Sequence, residues 1–377
     1  MKKRKNLILL IVFLLATSCK GVDPSNSEVE SGQNNPVSEF TQTITSKPTQ
    51  TPTVAPTETH TPTTTQTPLP PTITPTPWAL SSFDSSLLYP GVLPVRYIEN
   101  SCEYLEKRWG EGKSAPGTIV VPIMFHSILK PGREITDPSQ ITSEGFVSFM
   151  EKAENMGFET VTMTELLDFL ENNQAIPERS MILMLDDRRP DTPQLFMPYL
   201  EENDWTLTLS WPTTDATSDS LWKKIEDYVD TGYVDVQSHG HDHIYIQSFT
   251  PVEEIEEEIY KPIEVIESHF GFKPIAIIWP GGNFTTLSIE MAHEAGLALG
   301  FTVHPRGPVM FNWIPQGDAE LAVNDPLLTL PRYWSIEAER ALDEAVAIGE
   351  AARMAAEEVR EEELLYYSLF CQTSEGD

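Results

Sequence analysis

From residue 118 to residue 335 the chain alternates short apolar runs with longer stretches whose apolar positions recur every three or four residues. The segments Ile119–Phe125, Glu159–Met163, Met181–Leu185, Trp205–Leu209, Tyr233–Gln237, Ile275–Trp279, Leu299–Val303 and Leu328–Arg332 predict strands. Between them the spacing predicts helices over 143–156, 165–171, 192–203, 220–231, 252–270 and 287–295. In the first helix Phe146, Phe149 and Met150 share a face; in 252–270 Ile255, Ile259, Ile263 and Ile266 form one stripe. Thr164 is placed to cap the helix that starts at Glu165, and Thr192-Pro193 opens the next one. Strands that alternate with helices imply a parallel sheet, and seven or eight such units can close into a barrel.

The polar candidates fall where a barrel would use them, at the C-terminal ends of strands. His126 follows the first strand, Asp186-Asp187 follow Leu185, and Trp279-Pro-Gly-Gly-Asn283 closes another run. The segment Val234-Asp-Val-Gln-Ser-His239-Gly-His241-Asp-His243 carries three histidines directly after a strand. His239 and His243 are four residues apart, so both rings can face the same way. Two imidazoles and a carboxylate make a divalent-metal site. His241 is assigned a supporting or solvent-facing role. Trp279 and Phe284 offer either a sugar-stacking surface or core packing. His304 and Arg306 follow a strand, with solvent exposure as the default, and His269 and His293 lie in helices without an assigned role.

Outside this span the composition changes. Residues 1–19 begin Met-Lys-Lys-Arg-Lys, run through an apolar stretch from Leu7 to Leu15, and end Thr17-Ser18-Cys19. This is the layout of an export signal, and its apolar part is short for a membrane span. Small residues before a cysteine resemble a bacterial lipoprotein box, which implies a lipid-modified Cys19 that anchors the chain to a membrane; an ordinary secretory signal is the alternative. Residues 20–80 are dense in Thr and Pro and are predicted to form an extended or disordered linker, with a reach on the order of 100 Å. Residues 81–335 then suffice for one large domain, and 336–377 form an acidic tail whose Ala- and Glu-rich part predicts a helix. The net charge of −32, from 57 acidic residues against 25 Lys and Arg, disfavours nucleic acid and anionic polymers and suits a neutral or cationic one. Nothing calls for an obligate protein partner. In an exported chain Cys102 and Cys371 invite a disulfide.

Four segments together resemble the polysaccharide deacetylase family, carbohydrate esterase family 4. Met184-Leu-Asp186-Asp187 resembles its Thr-Phe-Asp-Asp-Gly motif, and Ser238-His239-Gly-His-Asp-His243 its Ser-His-Thr-x-x-His motif. Trp279-Pro-Gly-Gly-Asn283 resembles its Tyr-Pro-Tyr-Gly segment. Pro122-Ile-Met-Phe-His126-Ser-Ile128 resembles the opening of the branch that includes poly-N-acetylglucosamine deacetylases. The resemblance covers about residues 118–335. It implies an α/β fold, an incomplete (β/α)7-type barrel with parallel strands, and a hydrolase that removes acetyl groups from a sugar polymer.

Carried over residue by residue, the resemblance makes Asp187, His239 and His243 ligands of a divalent metal, Zn2+ or else Co2+ or Ni2+. It makes Asp186 the general base and His126 the general acid. Arg332 is the candidate for orienting Asp186, and Trp279, Gly281 and Asn283 line the substrate. Three departures stand out. The family glycine after the aspartates is Arg188, followed by Arg189; the family's usual arginine before the Pro-Tyr-Gly segment is absent, Ile278 and Trp279 occupying that region; and the family tyrosine is Gly281. An arginine next to the metal carboxylate can pair with it, displace the cation or crowd the substrate. The expectation is therefore a membrane-tethered, extracytoplasmic, metal-dependent deacetylase of an N-acetylated polysaccharide, with a weakened or inactive carbohydrate-binding domain as the alternative.

Overall fold

A computed structural model describes residues 76–372. The expected signal peptide, the Cys19 anchor and nearly all of the 20–80 linker lie outside the described residues. Seven of the eight parallel strands of the central sheet follow one path: β1 (Ile119–Phe125), β2 (Arg179–Asp186), β3 (Leu207–Trp211), β4 (Val234–Ser238), β5 (Ala276–Ile278), β6 (Leu299–Phe301) and β7 (Tyr333–Trp334); the eighth, Glu159–Thr160, is what forms of the expected strand Glu159–Met163 and pairs with β2. Their order in the sheet is β6-β5-β4-β3-β2-β1-β7, with every pair parallel. Helices α1 (Ser143–Asn155), α2 (Met163–Asn172), α3 (Pro193–Asn203), α4 (Asp219–Val229), α5 (Val252–Phe270) and α6 (Thr286–Glu294) lie between strands, and α7 (Ala338–Phe370) follows the last one. The fold class is α/β, an incomplete (β/α)7-type barrel. The ring is drawn together by one segment: Leu330 exchanges backbone hydrogen bonds with β6 (Leu330 N–H to Gly300 O, 2.7 Å; Thr302 N–H to Leu330 O, 2.9 Å). Three residues later the same segment pairs with β1 as β7.

Alternation sorts the side chains of β1 and β2 into two layers. Val120, Ile182 and Met184 join Ile278, Leu299 and Phe301 in one buried cluster. Val121, Ile123, Leu183 and Leu185 join the faces of α1 and α3 in another. Asp186 continues the face of Ile182 and Met184, so its carboxylate is directed into the barrel.

Three expected elements are corrected. The helix expected from Glu165 starts at Met163, because Thr162 rather than Thr164 is the cap: its hydroxyl accepts from Glu165 N–H, and the Glu165 side chain accepts from Thr162 N–H, a reciprocal capping box. The expected final strand Leu328–Arg332 is a 3-10 turn, Leu327–Thr329, with the strand moved on to Tyr333–Trp334. Apolar periodicity cannot separate these in so short a run. The expected strand Trp205–Leu209 begins instead at Leu207 and runs to Trp211.

The Ala- and Glu-rich tail packs closely despite its small side chains. Ala338, Ala341, Leu342, Ala345, Ile348 and Ala352 are buried, and a Cβ on Gly349 would come within 2.7 Å of the Gly117 carbonyl. Small residues are what let α7 approach the start of β1. Its far end receives Trp78 edge-on against Tyr366 and Phe370, at centroid distances of 5.2 and 5.5 Å. Cys102 and Cys371 form a disulfide next to that cluster.

Candidate metal centre and active site

Asp187, His239 and His243 converge at the C-terminal rim. Asp187 follows β2; His239 follows β4, where its N–H donates to Trp211 O at 3.3 Å. Both Asp187 (φ 69°) and His243 (φ 61°) occupy the left-handed region, which costs backbone energy and is tolerated where surrounding structure enforces it. Asp187 Oδ1 lies 3.3 Å from His243 Nε2 and 3.8 Å from His239 Nε2. The two Nε2 atoms are 3.1 Å apart.

These separations suit one cation. Ligands about 2.0–2.1 Å from a tetrahedral ion stand about 3.3 Å from one another. The proton placement fits as well. His239 Nδ1 is 2.7 Å from Ile278 O, and a carbonyl only accepts, so Nδ1 carries the hydrogen and Nε2 presents its lone pair to the cluster. Burial holds the His239 pKa below the usual histidine range, the nearby Asp186 charge opposing, so the ring is neutral, as a ligand must be.

Asp186 is buried beneath this cluster. Arg332 Nη1 donates to both of its oxygens at 2.8 Å, and Arg332 Nε donates to Thr302 O at 2.7 Å. Burial alone would raise the Asp186 pKa, but the Arg332, His239 and His126 charges outweigh it and hold the carboxyl well below the usual range. His126 Nε2 stands 3.6 Å from Asp186 Oδ2, too far for a hydrogen bond. Its ring stacks on Trp334 at 5.5 Å, and burial lowers its pKa against the raising effect of Asp186.

The two arginines after the aspartates behave differently. Arg188 turns away, its Nη2 reaching Ala216 O at 3.4 Å. Arg189 takes up the carboxylate instead, with Nη2 3.2 Å from Asp187 Oδ2. This leaves Oδ1, the oxygen nearer the histidines, for the cluster.

The substrate-lining expectation for Trp279 is corrected. Its ring is fully buried among Ile255, Ile259 and Ile289, and its Nε1 donates to Leu328 O at 2.8 Å; it cannot meet a polymer from solvent. Phe284 packs half-buried on the same cluster. Gly281 lies under the ring of Tyr245. Asn283 sits in the same turn, half-buried, its N–H on Pro280 O. His241 is buried and bonded to Thr213 Oγ1 at 3.0 Å. Arg306, for which exposure was the default, is buried in an ion pair with Glu320 at 2.8 Å. His269 stacks on Trp222 at 4.1 Å.

Sequence reasoning missed Glu258. Its carboxylate is buried against the histidine loop and accepts from Asp242 N–H at 2.6 Å and Ile244 N–H at 3.2 Å. Burial pushes its pKa up to about 7 against those donors. A Cβ at Gly240 (φ 76°) would lie 2.0 Å from Glu258 Oε2, so only glycine at 240 admits the clamp. A signal existed: in an acidic helix, Glu258 is three residues beyond Ile255, on the apolar stripe rather than the solvated face.

Residues 173–300 match the family model for polysaccharide deacetylase. By that match, residues 173–300 belong to a polysaccharide deacetylase domain. The matched span holds Asp186, Asp187, His239 and His243, while His126 and Arg332 reach the site from outside it. The curated relative "Putative polysaccharide deacetylase YxkH" of Bacillus subtilis (strain 168) is 19% identical over 187 residues, 49% of this chain and 65% of its own length. The chain thus spans less than two thirds of that relative. Among solved structures, the Streptococcus pyogenes deacetylase PplD in complex with acetate is 17% identical, covering 62% of this chain and 99% of that one, TM-score 0.49. IcaB from Ammonifex degensii is 17% identical, covering 62% and 98%, TM-score 0.48. Among the described residues, Asp187, His239 and His243 form the cluster of side chains that could hold a metal.

Proposed function

We propose that this protein removes acetyl groups from an N-acetylated polysaccharide outside the cytoplasm, using a divalent metal and tethered to a membrane through lipid on Cys19. The observation that carries the reading is the convergence of one carboxylate and two imidazole lone pairs, 3.1–3.8 Å apart, directly above an arginine-clamped aspartate. A divalent ion held by Asp187, His239 and His243 would lower the pKa of a bound water and polarise the acetyl carbonyl. Asp186, kept ionised by Arg332, accepts the proton of the attacking water. The leaving nitrogen takes its proton from His126, which is recharged from solvent, while Asp186 releases the water's proton to solvent before the next turnover. The export signal, the Thr/Pro-rich spacer and the acidic surface support a site of action on a neutral or increasingly cationic polymer in the envelope.

One observation favours a second reading. Arg189 pairs with Asp187 and thereby competes with the metal for its charge, which suits a weakened enzyme or a binding domain. Elemental analysis of the gently purified protein, followed by an acetate-release assay on N-acetylated chito-oligomers, decides between them. Bound zinc, cobalt or nickel with acetate release supports the hydrolase. Metal-free protein that binds the oligomers without turnover supports the second reading.

A further inference from the structure

Gly281 stands where the family carries a tyrosine, and the local geometry leaves no room for a side chain. Gly281 has φ 62°, and a Cβ built on it would lie 3.0 Å from Cε2 and Cζ and 3.1 Å from Cδ1 of Tyr245. Three ring atoms at nearly equal distance mean that the ring lies face-on over the Gly281 backbone. The same ring makes a T-shaped contact with His243, with centroids 5.5 Å apart and planes at 65°. Tyr245 is nevertheless 52% exposed. With one face of the ring laid on Gly281, about half of the residue can stay exposed only if the opposite face is largely open to solvent.

We propose that Tyr245 is a substrate-binding residue, on whose open face a sugar ring of the polymer stacks beside the metal centre. The proposal rests on the deacetylase reading above and deepens it. The ring is delivered from the histidine loop into the space that a tyrosine at 281 would have filled, and Gly281 is what lets it lie there. An aromatic face carries partial negative charge, and a pyranose presents an apolar face of C–H groups to it. The other aromatic residues near the centre are less available: Trp279 is buried, and Trp334 is stacked on His126.

The test uses the full-length zinc-loaded protein with Tyr245→Ala and Tyr245→Phe, acetate release from N-acetylated chito-oligomers, and zinc affinity measured separately. Stacking predicts a KM roughly tenfold higher in Tyr245→Ala with kcat changed less than about twofold, and recovery of KM in Tyr245→Phe. Zinc affinity stays within about twofold, because Tyr245 is no ligand. An unchanged KM overturns the proposal. So does a loss of zinc affinity in Tyr245→Ala, which would make the ring a prop for His243. If the wild-type protein releases no acetate, the hydrolase reading fails and calorimetric binding of the same oligomers decides this one. Weaker binding by Tyr245→Ala then supports stacking, whereas equal binding, or none by either protein, overturns it.

Discussion

Arg332→Met isolates the role of the guanidinium beneath the metal centre. Methionine roughly preserves the apolar stem but leaves Asp186 buried without the donor that meets both of its oxygens at 2.8 Å. Breaking a buried ion pair from one side costs about 3–5 kcal/mol. The cost must depend on pH in a defined direction. In the wild-type protein the Asp186 pKa is depressed in the folded state, so its contribution is fully present above the unfolded value of about 3.9 and is lost as pH falls through the folded value. In the variant, burial acts unopposed by Arg332 and raises the folded pKa. Stability of the variant then falls by about 1.4 kcal/mol per pH unit between about 3.9 and the raised value. Both effects widen the gap between the proteins as pH rises. Urea unfolding of chelator-treated proteins should therefore show about 3–5 kcal/mol separation at pH 7, and at pH 4 a separation smaller by about 1.4 kcal/mol for each pH unit by which the variant's folded pKa exceeds about 3.9, the wild-type share being still present there. Adding Asp186→Asn to the variant should remove most of the pH-dependent part. A separation that stays constant between pH 4 and pH 7 would refute the electrostatic account of Arg332.

Glu258→Gln replaces a carboxylate that accepts from two N–H groups with an amide of one acceptor oxygen, and should weaken zinc binding about 10–100-fold by titration against a chelating indicator; Gly240→Ala, which collides with the same carboxylate, should do at least as much harm. Arg189→Met removes the cation paired with Asp187, so zinc affinity should rise; a fall would mean that Arg189 orients the carboxylate rather than competing for it. Asp186→Asn should keep its metal by elemental analysis and lose at least about 100-fold in acetate release, and normal turnover in that variant would remove Asp186 from the proposed proton path. Asp187→Ala and His239→Ala should each purify without metal.

The order of strands and helices was legible because apolar spacing reports local periodicity, and the 252–270 helix appears with the bounds that its isoleucine stripe predicts. The convergence of Asp187, His239 and His243 was legible for a related reason: each follows the end of a strand, and a parallel barrel brings all such ends to one rim. Long-range partnership is not written in local spacing. Nothing within the Leu330-Pro-Arg-Tyr segment marks Arg332 as the partner of Asp186, 146 residues away; the resemblance alone suggested it, and the closing of the barrel by that segment produces the contact. Trp279 misled because an aromatic beside a motif looks the same in sequence whether its ring faces solvent or core. Glu258 and Tyr245 take their roles from what lies opposite them, the histidine loop in one case and a bare glycine backbone in the other. Local chemistry and periodicity were thus determined by the chain as read, while burial, pairing and the choice of aromatic beside the centre were decided by packing between segments far apart in sequence.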